Sequence, residues 1–304
     1  MALGNLALYT TIYPGLEPYL PAWHESVLAQ TDRDFDLWIG CQGVEPAALE
    51  RILGPELIPH WVPCPEGDSP AQVRERAFHQ IAAEYDALVL VDSDDVLHPT
   101  RVAAARQQLE SCDVYACALR LMDQGGADLG AVLGLGEDED LESVLPRWNL
   151  FGLSNSAYRA QTLCGCLPIP PDCVLLDWYL AMKAWGRGAR LQFDRTCRMR
   201  YRQYQGNTAR LLPPFSPGYI LQATSWVCGH YRLILAEAPD MAPQVKAALV
   251  EAAGRAEKFR EAVLKSSIIL DEYVTALNKK PPASKWWTVV AHPELEHIWA
   301  KNST

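Results

Sequence analysis

Short apolar runs rich in β-branched residues alternate, from residue 6 to residue 91, with segments whose apolar positions recur every three to four residues. Leu6 to Ile12 reads as a first strand that ends in Thr10 and Thr11, and Tyr13-Pro14-Gly15 turns the chain. Leu20, Trp23, Val27 and Leu28 share one helical face, which predicts a helix over 18–30. Phe35 to Gly40 is a second strand and Pro46 to Leu53 a short helix. His60 to Pro63 is a third strand, placed at an edge because its prolines cannot donate to a ladder on both sides. Ser69 as N-cap and Pro70 at the first helical position open a helix through Ala82. It feeds the apolar run that begins at Asp86 and reads as a strand buried on both faces. Strands alternating with helices give βαβ units, hence an α/β chain built on a mixed, mainly parallel sheet flanked by helices.

Beyond residue 105 the pattern changes. Asp113 to Leu121 reads as a strand, Asp123 to Gly136 as a glycine-rich loop or hairpin, and Gly188 to Phe193 as another strand. Leu176, Tyr179, Leu180 and Ala184 form the apolar face of a helix that stops at Gly186. After Pro213-Pro214, Ser216 to Ala236 is predicted helical. Val245, Leu249, Ala252, Ala256, Phe259, Val263, Ser266, Leu270, Tyr273 and Leu277 then alternate spacings of four and three as one unbroken heptad-like seam. That seam has two readings: a hairpin packed on the preceding helix, or a homodimer formed through 245–277. Lys279-Lys280-Pro281-Pro282 ends it, and Trp286, Trp287 and Trp299 mark a tail that docks on the rest of the chain or on a partner.

Charge and cysteine content narrow the classes. A net charge of -10 and a pI near 5.2 argue against nucleic acid or an anionic membrane as the main partner. The nine cysteines show no paired CxxC spacing, which favours reduced, buried thiols over a zinc site or a disulfide framework. With no long apolar run and no cationic leader, the expected location is cytoplasmic.

Against that background the stretch Asp92-Ser93-Asp94-Asp95 stands out, with three carboxylates crowded at the carboxyl end of a buried strand. Their repulsion calls for a cation, and a hard divalent ion with oxygen ligands is the chemical match. Ligands of open α/β sheets bind at that end of the strands. The structural alternative is a turn and helix cap leading to Pro99. Glu137-Asp138-Glu139-Asp140 is read as a solvated loop, because nothing fixes its geometry. Asp177, in the first turn of its helix, suits the helix dipole.

The order of these pieces resembles the nucleotide-sugar half of a GT-A fold glycosyltransferase, in particular glycosyltransferase family 2. The resemblance rests on the Thr-bearing end of the first strand, Glu25 to Thr31, the Phe35 strand, Arg74, and Val91 to Asp95. It implies that Asp92 and Asp94 form the DxD pair, with Asp94 on the metal (Mn2+ or Mg2+) and Asp92 on the ribose or the metal. Thr10, Thr11 and Tyr13 would hold the base, with Arg74, Ser93 and Gln42 on the donor side. Ser154, Asn155 and Trp178 would line the acceptor side. Asp177 would be the general base, and Arg202 a cationic donor to phosphate oxygens beside Arg198. The chain departs from the family pattern at Cys41 and Gln42, at Leu176, which replaces the glutamate of a Glu-Asp pair, and at Tyr204, which replaces a histidine.

The expectation is therefore an inverting, metal-dependent glycosyltransferase with a nucleotide-diphosphate sugar donor and a carbohydrate, lipid-linked or other hydroxyl acceptor. Residues 1–211 would be catalytic, with a nucleotide-sugar half at 1–105 and an acceptor half at 106–211; residues 212–304 would be a helical extension. The alternatives are a nucleotide-sugar-binding module without turnover and a sugar nucleotidyltransferase. The latter would want a glycine-rich phosphate loop, which Thr10 to Gly15 lacks.

Overall fold

The computed structural model describes residues 3–65, 67–237 and 241–300. In chain order the elements begin with β1 (Leu6–Ile12), α1 (Leu20–Leu28), β2 (Asp36–Cys41), α2 (Pro46–Leu53), β3 (His60–Pro63), α3 (Pro70–Glu84), β4 (Ala87–Leu90), β5 (Val96–Leu97) and α4 (Arg101–Leu109). They continue with β6 (Val114–Met122), β7 (Asp128–Leu133), α5 (Leu141–Val144), β8 (Ser156–Arg159), α6 (Ala160–Gly165), α7 (Leu176–Gly186) and β9 (Leu191–Arg202). The last are α8 (Pro217–Ala236), α9 (Pro243–Lys265), α10 (Ser267–Leu277) and α11 (Glu296–Trp299).

The nine strands of the described residues belong to one sheet in the order β3-β2-β1-β4-β8-β6-β9-β5, with β7 paired to β6. The β3-β2-β1-β4 half is parallel throughout, and β8 enters antiparallel between β4 and β6. The short β3 lies at the edge, as its prolines require. β4 and β1 are buried along their whole length, so their residues read as continuous apolar runs rather than as an alternation. β9 is longer than predicted, because Arg198, Arg200 and Arg202 alternate with Met199 and Tyr201 and continue the ladder with β6. The Asp123–Gly136 segment resolves into a turn followed by β7.

Contacts divide the chain into two compact units. The first comprises the residues up to Val132, Phe151–Asp172 and Gly188–Arg202, and so holds the sheet with α1, α2, α3, α4 and α6. α3 starts with a full capping box: Ser69 Oγ accepts from the Gln72 N–H, and Gln72 Oε1 accepts from the Ser69 N–H. Such a cap contributes about 1 kcal/mol. Gly40 on β2 is a site of close approach, since a Cβ there would lie 2.6 Å from the Tyr9 hydroxyl.

The second unit comprises Leu133–Leu150, Cys173–Arg187 and the residues from Gln203 onward, with α5 and α7 to α11. The predicted seam is not one helix. It breaks at Ser266, whose hydroxyl caps α10 by accepting from the Ile269 N–H at 3.4 Å. Apart from Ser266 itself, every seam residue is buried within the chain, from Val245 on α9 to Leu277 on α10. Phe259 and Tyr273 pack ring to ring at 4.7 Å across that break. The tail tryptophans Trp286, Trp287 and Trp299 are also buried, with Trp287 against Trp226 and Trp299 against Phe259. No helix among the described residues is long and apolar enough to cross a membrane.

Candidate active site

The parallel half of the sheet brings the predicted donor residues to one edge. β1 and β2 run in register to Ile12 and Cys41, β3 reaches Pro63 beside Cys41, and Tyr9 pairs with Leu90 on β4. Thr10, Thr11 and Tyr13 at the end of β1, Gln42 after β2 and Asp92 to Asp94 after β4 therefore share the carboxyl edge of neighbouring strands. Arg74 rises from α3, which packs on β2, β3 and β4.

At this edge the acidic turn is held from below. Asp95 is fully buried; its Oδ1 accepts the Arg202 backbone N–H at 2.7 Å and its Oδ2 accepts the Ser154 hydroxyl. The same Ser154 oxygen accepts the Asp92 N–H at 3.2 Å. Arg202 closes the ring: Nε donates to the Asp94 carbonyl at 2.7 Å, Nη1 donates to the Gln124 carbonyl at 2.8 Å, and the guanidinium lies 4.8 Å from the Tyr19 ring centre. Ser93 Oγ donates to the Thr11 carbonyl at 3.0 Å and ties the turn to β1. Burial, followed by the charges of Asp94 and Asp92, pushes the Asp95 carboxyl well above the ordinary carboxylate range.

Several assignments change on this geometry. Arg202 was expected to serve phosphate oxygens, yet it is buried and its donors hold the backbone of the acidic turn; it is a clamp. Arg198 likewise bonds Asp194 at 2.6 Å and Thr100 at 2.6 Å. Ser154 serves the acidic turn, and Asn155 is fully buried with its amide on the Cys117 carbonyl and the Gly152 N–H, so neither presents an acceptor surface. Trp178 is fully buried as well, its indole N–H donating to the Leu145 carbonyl at 3.0 Å while its ring stacks on His230 at 4.1 Å. The family-like stretch Glu25 to Thr31 has a structural task. Gln30 donates to the His98 carbonyl and accepts from the Val102 N–H, and Ser26 accepts from the Leu97 N–H, fixing the chain just after the acidic turn.

Around the base-side residues, Thr11 Oγ1 lies 3.0 Å from the Tyr9 hydroxyl, and burial pushes the Tyr9 phenol up to about 12. Thr10 Oγ1 is buried with no hydrogen-bond partner among the described residues. Gln42 Nε2 donates to the Asp68 carbonyl at 3.1 Å, and Arg74 Nη1 to the Pro70 carbonyl at 3.1 Å. Cys41, where the family pattern has an acid, is buried, and its thiol is pushed up to about 12 by that burial.

In the second unit Asp177 sits half-buried in the first turn of α7. Its Oδ1 accepts the Trp178 N–H at 2.8 Å, and its Oδ2 accepts from Asn149 Nδ2 at 2.9 Å. The sequence reading passed over Asn149; a buried amide 28 residues from its partner leaves no local signal. Tyr204 takes part in a tight turn through the Asn207 side chain, which accepts its N–H at 2.6 Å.

No family model and no curated protein matches the chain. Solved structures do match. TarS 1–349 of S. aureus, solved in complex with UDP-GlcNAc, is 16% identical over 82% of this chain and 72% of its own, with a TM-score of 0.60. The mannosyltransferase PcManGT of Pyrobaculum calidifontis, solved with GDP-Man and Mn2+, is 15% identical over 98% of this chain and 88% of its own, with a TM-score of 0.58. The chain has a GT-A fold. Within a GT-A fold the carboxyl edge of β1, β2 and β4 is the topological switch region of an open sheet, where ligands bind.

Among the described residues no group of three or more His, Cys, Asp or Glu side chains encloses a metal by itself. Asp95 is engaged by Ser154 and Arg202, while Asp92 and Asp94 of the same turn carry hard carboxylate oxygens of the kind a divalent cation takes. Two hard oxygen donors fit an ion of the magnesium or manganese type, which takes one or two carboxylates and completes its shell with phosphate oxygens and water.

Proposed function

We propose that the protein is an inverting glycosyltransferase that moves a sugar from a nucleotide-diphosphate sugar to an acceptor hydroxyl, with residues 1–211 as the catalytic part. The observation that carries this reading is the clamped acidic turn at the carboxyl end of β4, on a fold shared with TarS bound to UDP-GlcNAc and PcManGT bound to GDP-Man and Mn2+. Thr10, Thr11, Tyr13 and Gln42 take the nucleoside, and Arg74 supplies positive charge beside them. Asp92 and Asp94 hold a divalent cation, whose chemistry when bound is to neutralise the departing diphosphate. Asp177 accepts the proton of the acceptor hydroxyl as that oxygen forms its bond to the anomeric carbon from the face opposite the leaving group. The nucleoside diphosphate leaves with the electron pair, so the anomeric configuration inverts.

The test is thermal denaturation with UDP-GlcNAc, GDP-Man and other nucleotide-sugars, each with and without manganese. Ligand at about a hundredfold excess over its Kd stabilises the folded state by about 2.7 kcal/mol, so a matched donor raises Tm by several degrees, and only with the metal. A complete set without any metal-dependent shift overturns the reading.

A further inference from the structure

We propose that Asn149 is the positioning residue of the general base, setting the orientation of the Asp177 carboxylate through its side-chain amide. This rests on the reading of Asp177 given above. Within the first turn of α7 one carboxylate oxygen, Oδ1, accepts the Trp178 N–H, a donor that has no partner earlier in the helix. The bond from Asn149 Nδ2 to the other oxygen adds nothing to the helix. It fixes rotation about the Cβ–Cγ bond and so sets the orientation of the carboxylate. An amide suits this task because it donates to a carboxylate without competing for the proton that carboxylate must accept.

Asn149 is itself immobilised. It is fully buried, and its backbone carbonyl accepts the Trp286 N–H at 3.3 Å in an isolated antiparallel bridge. The segment carrying Trp286 is pinned just ahead of that bridge, by Ala283 N–H on the Leu211 carbonyl at 2.9 Å and Gly134 N–H on the Ser284 carbonyl at 2.8 Å. The next residue, Trp287, holds a left-handed backbone at φ 71°, a conformation that a bulky residue keeps only when its surroundings enforce it. The C-terminal segment thus buttresses the amide that orients the base.

The experiment compares the full-length wild type with Asn149→Ala, the isosteric Asn149→Asp and Asp177→Asn. It measures release of free nucleotide from UDP-GlcNAc and from GDP-Man with Mn2+, together with donor Kd. Asn149→Ala is expected to lower kcat by roughly 10- to 100-fold, the effect of a misplaced catalytic group, with KM and donor Kd unchanged. Asn149→Asp keeps the volume but loses the donor, so it falls at least as far. Recovery of wild-type kcat in Asn149→Asp, or an unchanged kcat in Asn149→Ala, overturns the positioning role. Near-normal turnover in Asp177→Asn overturns the base reading itself, a separate result. Crystal structures add a readout that needs no turnover: the Asp177 carboxylate turns away in Asn149→Ala, and an unmoved carboxylate overturns the inference.

Discussion

Two acidic stretches of this chain carry comparable charge in opposite settings. Asp92 to Asp95 lies at the end of a buried strand, with Asp95 fully enclosed and Asp94 only 8% exposed. Glu137 to Asp140 lies on a loop, where Glu137, Asp138 and Asp140 are exposed. Glu139 answers the Gly136 N–H and Lys285, and Asp140 caps α5 through the Ser143 N–H. Water and local donors therefore satisfy the second stretch, which has no need of an ion. The first is held in a protein-made frame, where burial and the neighbouring charges of Asp94 and Asp92 disfavour ionisation of Asp95. Enforced burial, more than the number of carboxylates, separates a site from a solvated loop.

The sharpest way to break this contrast is Asp94→Ala. Removing one of the two proposed cation ligands is expected to lower manganese-dependent affinity for the donor by at least about 100-fold, some 2.7 kcal/mol, while the fold persists. Isothermal titration with UDP-GlcNAc and GDP-Man, with and without manganese, checks it. Undiminished metal-dependent affinity removes Asp94 from the site.

Of comparable size is Arg202→Ala, which leaves the Asp94 and Gln124 carbonyls without their donors and strips the guanidinium from the Tyr19 ring. Each abandoned buried acceptor costs about 1–3 kcal/mol, so a loss near 3 kcal/mol is expected from the urea midpoint. Arg202→Lys should recover only part, since an ammonium cannot reproduce the fork. A loss below the error of the midpoint would show that the turn needs no clamp.

How much of this was legible in sequence follows from distance along the chain. β1 to β4, α3 with its Ser69 cap and the edge position of β3 are local patterns, and each stands where periodicity and proline chemistry put it. The clamp was invisible, because Arg202 meets Asp94 across 108 residues and Ser154 meets Asp95 across 59. An arginine near a phosphate-type motif invites a ligand role, and only its burial reveals the structural one. Ser266 misled differently. It occupies a seam position, so heptad spacing continued through it, although serine is also a preferred N-cap, and that signal marked the break. The grouping of 133–150 and 173–187 with the C-terminal helices depends on long-range contacts that no local pattern encodes.

A buried group without partners offers a second contrast with Asp95. His230 on α8 is enclosed, stacked on Trp178, and neither ring nitrogen has a hydrogen-bond partner among the described residues. Burial lowers its pKa from 6.5 to about 3. Between those values the unfolded chain binds the proton and the folded one does not, so this contribution is intact above pH 6.5 and is lost as pH falls toward 3. At pH 5 the loss is about 2 kcal/mol. His230→Phe, which keeps an aromatic ring on Trp178, should flatten that slope relative to wild type in urea titrations at pH 7 and pH 5. An equal slope in both proteins would assign the acid sensitivity elsewhere.

The smallest expected effect tests the other half of the comparison. Glu137→Gln with Asp138→Asn removes two charges from the loop while leaving the Glu139 ion pair and the Asp140 cap in place. Both side chains are exposed, and substitutions at such positions stay within about 0.5 kcal/mol. Because the charges sit in water, their removal leaves manganese-dependent donor affinity unchanged within titration error, while the same measurement on Asp94→Ala registers a large loss. A tenfold drop in the double variant, about 1.4 kcal/mol, would mean that the loop acts on the donor or its cation, and the division between framed and solvated carboxylates would fall.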